Sequence, residues 1–76
     1  MKKIKPGRYQ HYKGKFYKVI GEAHHSETLE EMVVYIALYK TKFGFSSLWV
    51  RPKNIFLEKV NMDGKKVPRF RLVNEE

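Results

Sequence analysis

Seventy-six residues leave room for a single domain over residues 1–76, with one thin core expected over about residues 7–73. Cysteine is absent, which excludes disulfides and thiolate metal sites, so that core must come from the Phe, Tyr and Trp residues and the aliphatic runs. The net charge of +8, from 16 Lys and Arg against 8 Asp and Glu, favours anionic partners through long-range attraction that salt screens. Met1-Lys2-Lys3-Ile4-Lys5-Pro6 is a basic start without the apolar stretch of a secretory signal. No apolar run is long enough to span a bilayer. A cytoplasmic protein with no membrane partner is the expectation.

The charge is blocked along the chain. Residues 1–18 hold seven basic residues and no acid, residues 19–39 hold Glu22, Glu27, Glu30 and Glu31 and no Lys or Arg, and residues 40–76 hold nine basic against four acidic. Glycines and prolines recur at short intervals (Gly7, Gly14, Gly21, Gly44, Pro52, Gly64, Pro68), the punctuation of an all-β chain of short strands. Arg8 to Tyr12 reads as a first strand and Lys13-Gly14 as a turn. In Lys15 to Ile20, Phe16, Lys18 and Ile20 share one face and Tyr17 and Val19 the other. Glu22 to Thr28 is polar and reads as a loop.

Met32 to Tyr39 is a continuous apolar run with two readings. Thr28 and Glu31 stand at capping-box spacing, and Leu29, Met32, Val33 and Ile36 recur at helical spacing. Val33, Val34 and Ile36 lose rotamer freedom in a helix, and the flanking tyrosines suit a pleated sheet. The second set prevails, and a central strand is expected. Lys40 to Ser47 reads as a loop around Gly44, with Phe43 and Phe45 folded back on the core. Leu48 to Arg51 is the next strand, ended by Pro52, which has no N–H to donate. Lys53-Asn54 suits a turn into a strand from Ile55 to Val60. Asp63-Gly64 is a strong hairpin signal that would set Val60 opposite Val67, Glu58 opposite Arg69, and Leu57 opposite Phe70. The expected fold is all-β: a small, SH3-like, partly open barrel of five or six short antiparallel strands.

Polar candidates fall into three groups. His24-His25-Ser26-Glu27-Thr28 is the densest. Adjacent histidines on an extended chain point to opposite sides, so it makes a poor metal site, and its hydroxyls also suit turn hydrogen bonds. Trp49 and Arg51 share a strand face, where an indole beside a guanidinium forms a clamp for a carboxylate, a phosphate or a base. The competing reading makes Trp49 a core residue and pairs Arg51 with a surface carboxylate. Arg69, and the tyrosines Tyr9, Tyr12, Tyr17, Tyr35 and Tyr39 with the interleaved Lys13, Lys15 and Lys18, complete a set suited to stacking bases and contacting phosphate. The competing reading places most of these rings in the core with the hydroxyl reaching water.

Several segments together resemble a known family: Gly7-Arg8-Tyr9-Gln10-His11-Tyr12-Lys13-Gly14, Ala23-His24-His25-Ser26-Glu27-Thr28-Leu29-Glu30, Val33-Val34-Tyr35, Leu38-Tyr39, Leu48-Trp49-Val50-Arg51-Pro52, Phe56 and Arg69-Phe70. The family is the bacterial domain of unknown function number 1653, and the resemblance runs from Gly7 to Leu72. Lys40 to Ser47 departs from its pattern. The resemblance implies a short stand-alone bacterial protein and carries no reaction, cofactor or partner. It gives weight to polar groups at matching positions: His11, His24, Ser26, Glu27, Thr28, Arg51 and Arg69. With Trp49, these are the expected binding residues, with His24 to Thr28 beside Trp49 and Arg51 on one face.

The function expected from these features is a non-enzymatic binding module for nucleic acid or a nucleotide, without metal or cofactor. Its alternative is a module for a protein tail or a small carboxylate ligand. A small hydrolase using His11 or His24 as general base ranks third. Partners are expected to be nucleic acid or another polyanion, a protein, or a second copy of the chain.

Overall fold

The computed structural model describes residues 3–75. Met1, Lys2 and Glu76, parts of the basic tail and acidic end expected from the sequence, lie outside the described residues. Seven strands and one short helix follow in chain order: β1 (Gly7–His11), β2 (Phe16–His24), β3 (Glu31–Ala37), β4 (Leu48–Pro52), α1 (Lys53–Phe56), β5 (Lys59–Met62), β6 (Lys65–Pro68) and β7 (Phe70–Glu75). Five of them form an antiparallel sheet in the order β4-β3-β2-β1-β7, and β5 and β6 pair separately. No helix of the described residues is long and apolar enough to cross a membrane.

The fold is mostly β, as expected, but the sheet is not closed into a barrel. Its edge strands β4 and β7 do not pair. They approach through side chains, with the Arg51 guanidinium carbon 5.2 Å from the centroid of the Phe70 ring. The sheet is therefore curled and open. The chain that would be needed to complete a ring is spent on α1 and on the β5–β6 hairpin, which raises the strand count to seven.

Alternation places the core on the concave face. Val33, Tyr35 and Ala37 of β3 are buried, while Met32, Val34 and Ile36 on the other face are half-buried. The run that matched both a strand and a helix is thus a central strand, flanked by β2 and β4. Tyr9, Val19, Val33, Tyr35, Phe56, Phe70 and Ile4 form one buried cluster, with Tyr17 and Leu72 packed against it. The Phe56 and Phe70 rings stack at 4.2 Å with 7° between their planes. Tyr9, Tyr35 and Tyr17 meet this pair through edge-on or tilted contacts.

Two features depart from the pattern in the sequence. Strand β2 runs on to His24 through residues expected to be a loop. A bulge at Ile20 shifts its alternation, so that Val19 lies opposite Tyr35 but Glu22 lies opposite Val33. The bulge turns Glu22 to the concave side. There its Oε1 pairs with the buried Lys53 ammonium at 2.7 Å and its Oε2 accepts the Ile4 N–H at 3.0 Å.

The second departure is residues 53–56, expected as a turn and the start of a strand and found as one helical turn. Its i, i+3 spacing sends Lys53 to Glu22 and Phe56 into the core together, which an extended chain cannot do because it directs those two residues to opposite faces. Phe70 consequently stacks on Phe56 rather than facing Leu57. The Asp63-Gly64 turn has positive φ at both residues (51° and 81°), the geometry of a two-residue hairpin, and Val60 does face Val67. Glu58 does meet Arg69, as the backbone N–H of Arg69 donates to its carbonyl at 3.0 Å.

Phe70→Ala removes a buried ring shared by several elements and should cost about 3–5 kcal/mol. That is a large fraction of the whole stability of a domain this size, roughly 4–11 kcal/mol at about 0.05–0.15 kcal/mol per residue. Urea denaturation should find the midpoint of the variant sharply lowered. The pairing with Lys53, and then the Ile4 N–H, hold the Glu22 carboxyl below the usual carboxylate range. The stabilisation is complete above the unfolded value of about 4.3 and is lost as pH falls through the lower folded value. In acid unfolding monitored by circular dichroism, Glu22→Gln should lose stability near neutrality and show a flatter decline below pH 5.

Candidate functional site

Antiparallel connections alternate between the two ends of a sheet. At one end lie the β1–β2 turn, the β3–β4 loop and the start of β7. They carry His11, Tyr12, Lys13, Lys15, Tyr17, Tyr39, Lys40, Lys42, Phe43, Trp49 and Arg69. At the other end lie the β2–β3 turn and the end of β7, with Glu22, Glu27, Glu30, Glu31 and Glu75. Lys53 and Lys5 answer two of those carboxylates.

The concave face near the basic end has an open mouth between β4 and β7. Trp49 and Arg51 stand opposite Tyr35 and Val33 and so face inward. Arg51 Nε donates to the Tyr35 hydroxyl at 3.2 Å, and its guanidinium lies over Phe70. No described carboxylate pairs with it, contrary to the reading in which Arg51 answers a surface acid. Trp49 is not a core residue either. It is 36% exposed, its indole N–H donates to Ser47 Oγ at 2.9 Å, and its ring lies 5.7 Å from that of Phe43. Phe43 and Phe45, expected to fold back on the core, are 65% and 73% exposed. The Thr41–Gly44 bridge closes their loop into a tight turn that holds them outward.

His11 forms the other wall, opposite Phe70 in the β1–β7 register. Its ring packs edge-on to Phe70 at 4.9 Å and against Tyr12 at 4.7 Å. Nδ1 accepts the Lys13 N–H at 3.2 Å, so the neutral ring carries its proton on Nε2. Burial, then the charges of Arg51, Arg69 and Lys13, push its pKa below the ordinary histidine value. The Tyr17 and Tyr39 hydroxyls share a 2.6 Å hydrogen bond; burial and that bond raise the Tyr17 pKa. Arg69 Nη2 holds Glu58 at 2.7 Å, while its buried Nε has no partner among the described residues.

Cations lie over aromatic rings along this end: Lys13 over Tyr12, Lys15 over Tyr39 and Lys42 over Phe43, besides Arg51 over Phe70. A cleft of about 280 Å³ adjoins it, lined by Gln10, His11, Tyr12, Met62, Val67, Pro68 and Arg71. This volume is near the lower end for small-molecule sites.

The sequence-derived set is divided by the fold. His11, Trp49 and Arg69 belong to the basic end, while Arg51 rises from the other half of β4, opposite Val33 and so level with Glu22, and reaches Phe70 and the Tyr35 hydroxyl with its guanidinium. His24, Ser26, Glu27 and Thr28 lie at the acidic end. On β2, His24 is seven residues from Tyr17, on the order of 20 Å at the strand rise. Among the described residues no hydrogen bond or ring contact joins His24 to Thr28 with Trp49 or Arg51. The segment makes a turn: His25 Nδ1 accepts the N–H groups of Glu27 and Thr28, and Thr28 Oγ1 accepts that of Glu30. Leu29 closes it at φ 64°. Of the residues that line or flank the mouth, Tyr35 and Tyr39 are among the tyrosines expected to stack bases, whereas Phe43 is expected in the core. Strand register alone brings Tyr35 opposite Trp49. Among the described residues no three His, Asp or Glu side chains gather as metal ligands.

The family model for a protein of unknown function (DUF1653) matches residues 7–72. A crystal structure of a DUF1653 protein from Bordetella bronchiseptica is similar at 37% identity and a TM-score of 0.84, over 96% of this chain and 91% of that one. None of the curated proteins matches this chain.

Because the folded His11 pKa is depressed, the unfolded chain takes up the proton first. The contribution of neutral His11 to stability is complete above about pH 6.5 and declines as pH falls toward the folded value. An NMR titration should find His11 titrating below the free-imidazole value. In His11→Gln, the drop in the urea midpoint between pH 7.5 and 5.5 should be smaller than in the parent protein.

Proposed function

The chain belongs to the DUF1653 family of proteins of unknown function, and we propose that it is a non-enzymatic binding module for single-stranded nucleic acid or a nucleotide. The observation that carries this reading is the placement of cations and exposed aromatic rings together at one end of the sheet, with Glu22, Glu27, Glu30, Glu31 and Glu75 at the other. A single strand is held without sequence readout by rings that stack its bases and by a positive groove that tracks its backbone. In this role Trp49 and Phe43 stack bases. Arg51 and Arg69, with the Nε2–H of His11, contact phosphate. Arg51 suits this because its charge is partly desolvated and oriented by Tyr35 yet lacks a carboxylate partner among the described residues. The adjoining cleft beside Tyr12 and Arg71 admits a base or a nucleotide. The cytoplasm is the compartment where such a ligand would be met.

The reading as a pocket for a protein tail or carboxylate relied on His24, Ser26, Glu27, Trp49 and Arg51 together, and it is less favoured because no hydrogen bond or ring contact joins the first three to Trp49 or Arg51 among the described residues. As for general-base chemistry, no hydrogen bond joins His11 or His24 to a hydroxyl or carboxylate among the described residues.

Adding a single-stranded oligonucleotide at low salt should change the emission of Trp49, the sole tryptophan. Affinity should fall steeply with salt, by a slope of about 0.7 in log–log units per phosphate contacted. With a labelled oligonucleotide, Trp49→Ala should weaken binding roughly 5- to 150-fold, the equivalent of about 1–3 kcal/mol for one stacked base. Unchanged emission together with unchanged anisotropy at low salt would refute the proposal.

A further inference from the structure

Strand β4 is an open edge of the five-stranded sheet, and its composition is unusual for one. Open edges are commonly blunted by charge, proline, bulges or inward-pointing charged residues, which β4 has only at its end, in Arg51 and Pro52. The opposite edge, β7, carries Arg71 and Glu75 and pairs with β1 through a bulge. On β4, by contrast, Leu48 and Val50 are 65% and 59% exposed on the convex face, no bulge interrupts its register with β3, and no charge occurs before Arg51.

The hydrogen-bonding phase of this edge follows from one bond. The Ala37 N–H donates to the Ser47 carbonyl at 3.1 Å, so Ser47, Trp49 and Arg51 are the positions bonded toward β3. The outward groups are therefore the N–H and C=O of Leu48 and Val50 and the C=O of Pro52. Pro52, which has no N–H, falls on an outward position.

We propose that a second copy of this chain pairs antiparallel with β4, about a two-fold axis at Val50. In that register Val50 and its counterpart exchange two hydrogen bonds, and each Leu48 N–H donates to the Pro52 carbonyl of the other copy. The missing proline donor falls at the end of the ladder, where its loss costs least. Trp49 faces Arg51 of the other copy at a close, non-hydrogen-bonded position, a favourable pairing of indole and guanidinium. The convex apolar rows Leu48–Val50 and Val34–Ile36 become continuous across the axis.

Charge favours the same arrangement. Antiparallel pairing sets the β3–β4 loop of one copy, with Lys40 and Lys42, against the end of the other where β3 begins at Glu31 and the preceding turn carries Glu27 and Glu30. A parallel arrangement would oppose like charges.

Sedimentation equilibrium at low salt should give about twice the 9.1 kDa chain mass, reverting toward monomer as salt rises. Val50→Pro removes only an outward donor, a position where an edge strand tolerates proline. It should be monomeric with an unchanged circular dichroism spectrum. Because the chain has no cysteine, Val50→Cys can link only to its own copy. The expected Cα separation of about 5.5 Å for such a pair lies within disulfide range, about 4.4–6.8 Å. Mild oxidation should link it nearly completely. Leu48→Cys, offset from its own counterpart by four residues or about 13 Å, should stay unlinked. A monomer at all concentrations in low salt, a dimer that persists in folded Val50→Pro, or equal cross-linking of the two cysteine variants would each overturn the proposal.

Discussion

The stack of Phe70 on Phe56, at 4.2 Å and nearly parallel, is the contact on which the rest of the molecule depends. It joins the last strand to the single helical turn. Around the same Phe70 ring stand His11 from β1, Tyr17 from β2, Tyr35 from β3 and Arg51 from β4. Every strand of the main sheet thus contributes a group to one ring. In a chain this short, with no disulfide to restrain the unfolded state, such sharing is how a thin core holds together. It also accounts for the curl of the sheet, since β4 and β7 must approach for Arg51 to reach Phe70 without their backbones pairing.

That arrangement has a functional consequence. A ring that draws in His11 and Arg51 places an imidazole and a guanidinium at the rim of the core, where they are partly desolvated and close enough to repel one another's charge. The depressed His11 pKa expresses this. An anion at the mouth would relieve the repulsion that the packing creates. The meander topology enlarges the effect: alternate connections emerge at alternate ends, so Lys13 and Lys15 of the β1–β2 turn and the basic loop around residues 40–42 meet at one end. The acidic block of residues 19–39 turns at the other.

Strands built on local signals were legible in the sequence. The β-branched residues at 33, 34 and 36 decided for a strand against a capping-box signal, and Asp63-Gly64 fixed the Val60–Val67 register. The short elements that depend on distant partners were not legible. Residues 53–56 coil because Lys53 must reach Glu22 and Phe56 must reach Phe70, and Glu22 faces inward only because of a bulge at Ile20. The site divides in the same way. Trp49 and Arg51 were recognisable from their two-residue spacing. His24 to Thr28 make no hydrogen bond or ring contact with Trp49 or Arg51 among the described residues, because the segment spends its hydrogen bonds on its own turn. Tyr35 was a candidate for stacking, but its hydrogen bond to Arg51 was not legible, since that partner comes from the neighbouring strand.

The central claim is that ligand binding belongs to one end of a charge-segregated sheet. An amide-resolved NMR titration with a short single-stranded oligonucleotide tests it most directly. The account predicts shifts concentrated at residues 11–17, 39–51 and 69–71, with residues 22–31 unchanged. Shifts centred on residues 22–31, or spread evenly over the chain, would contradict it.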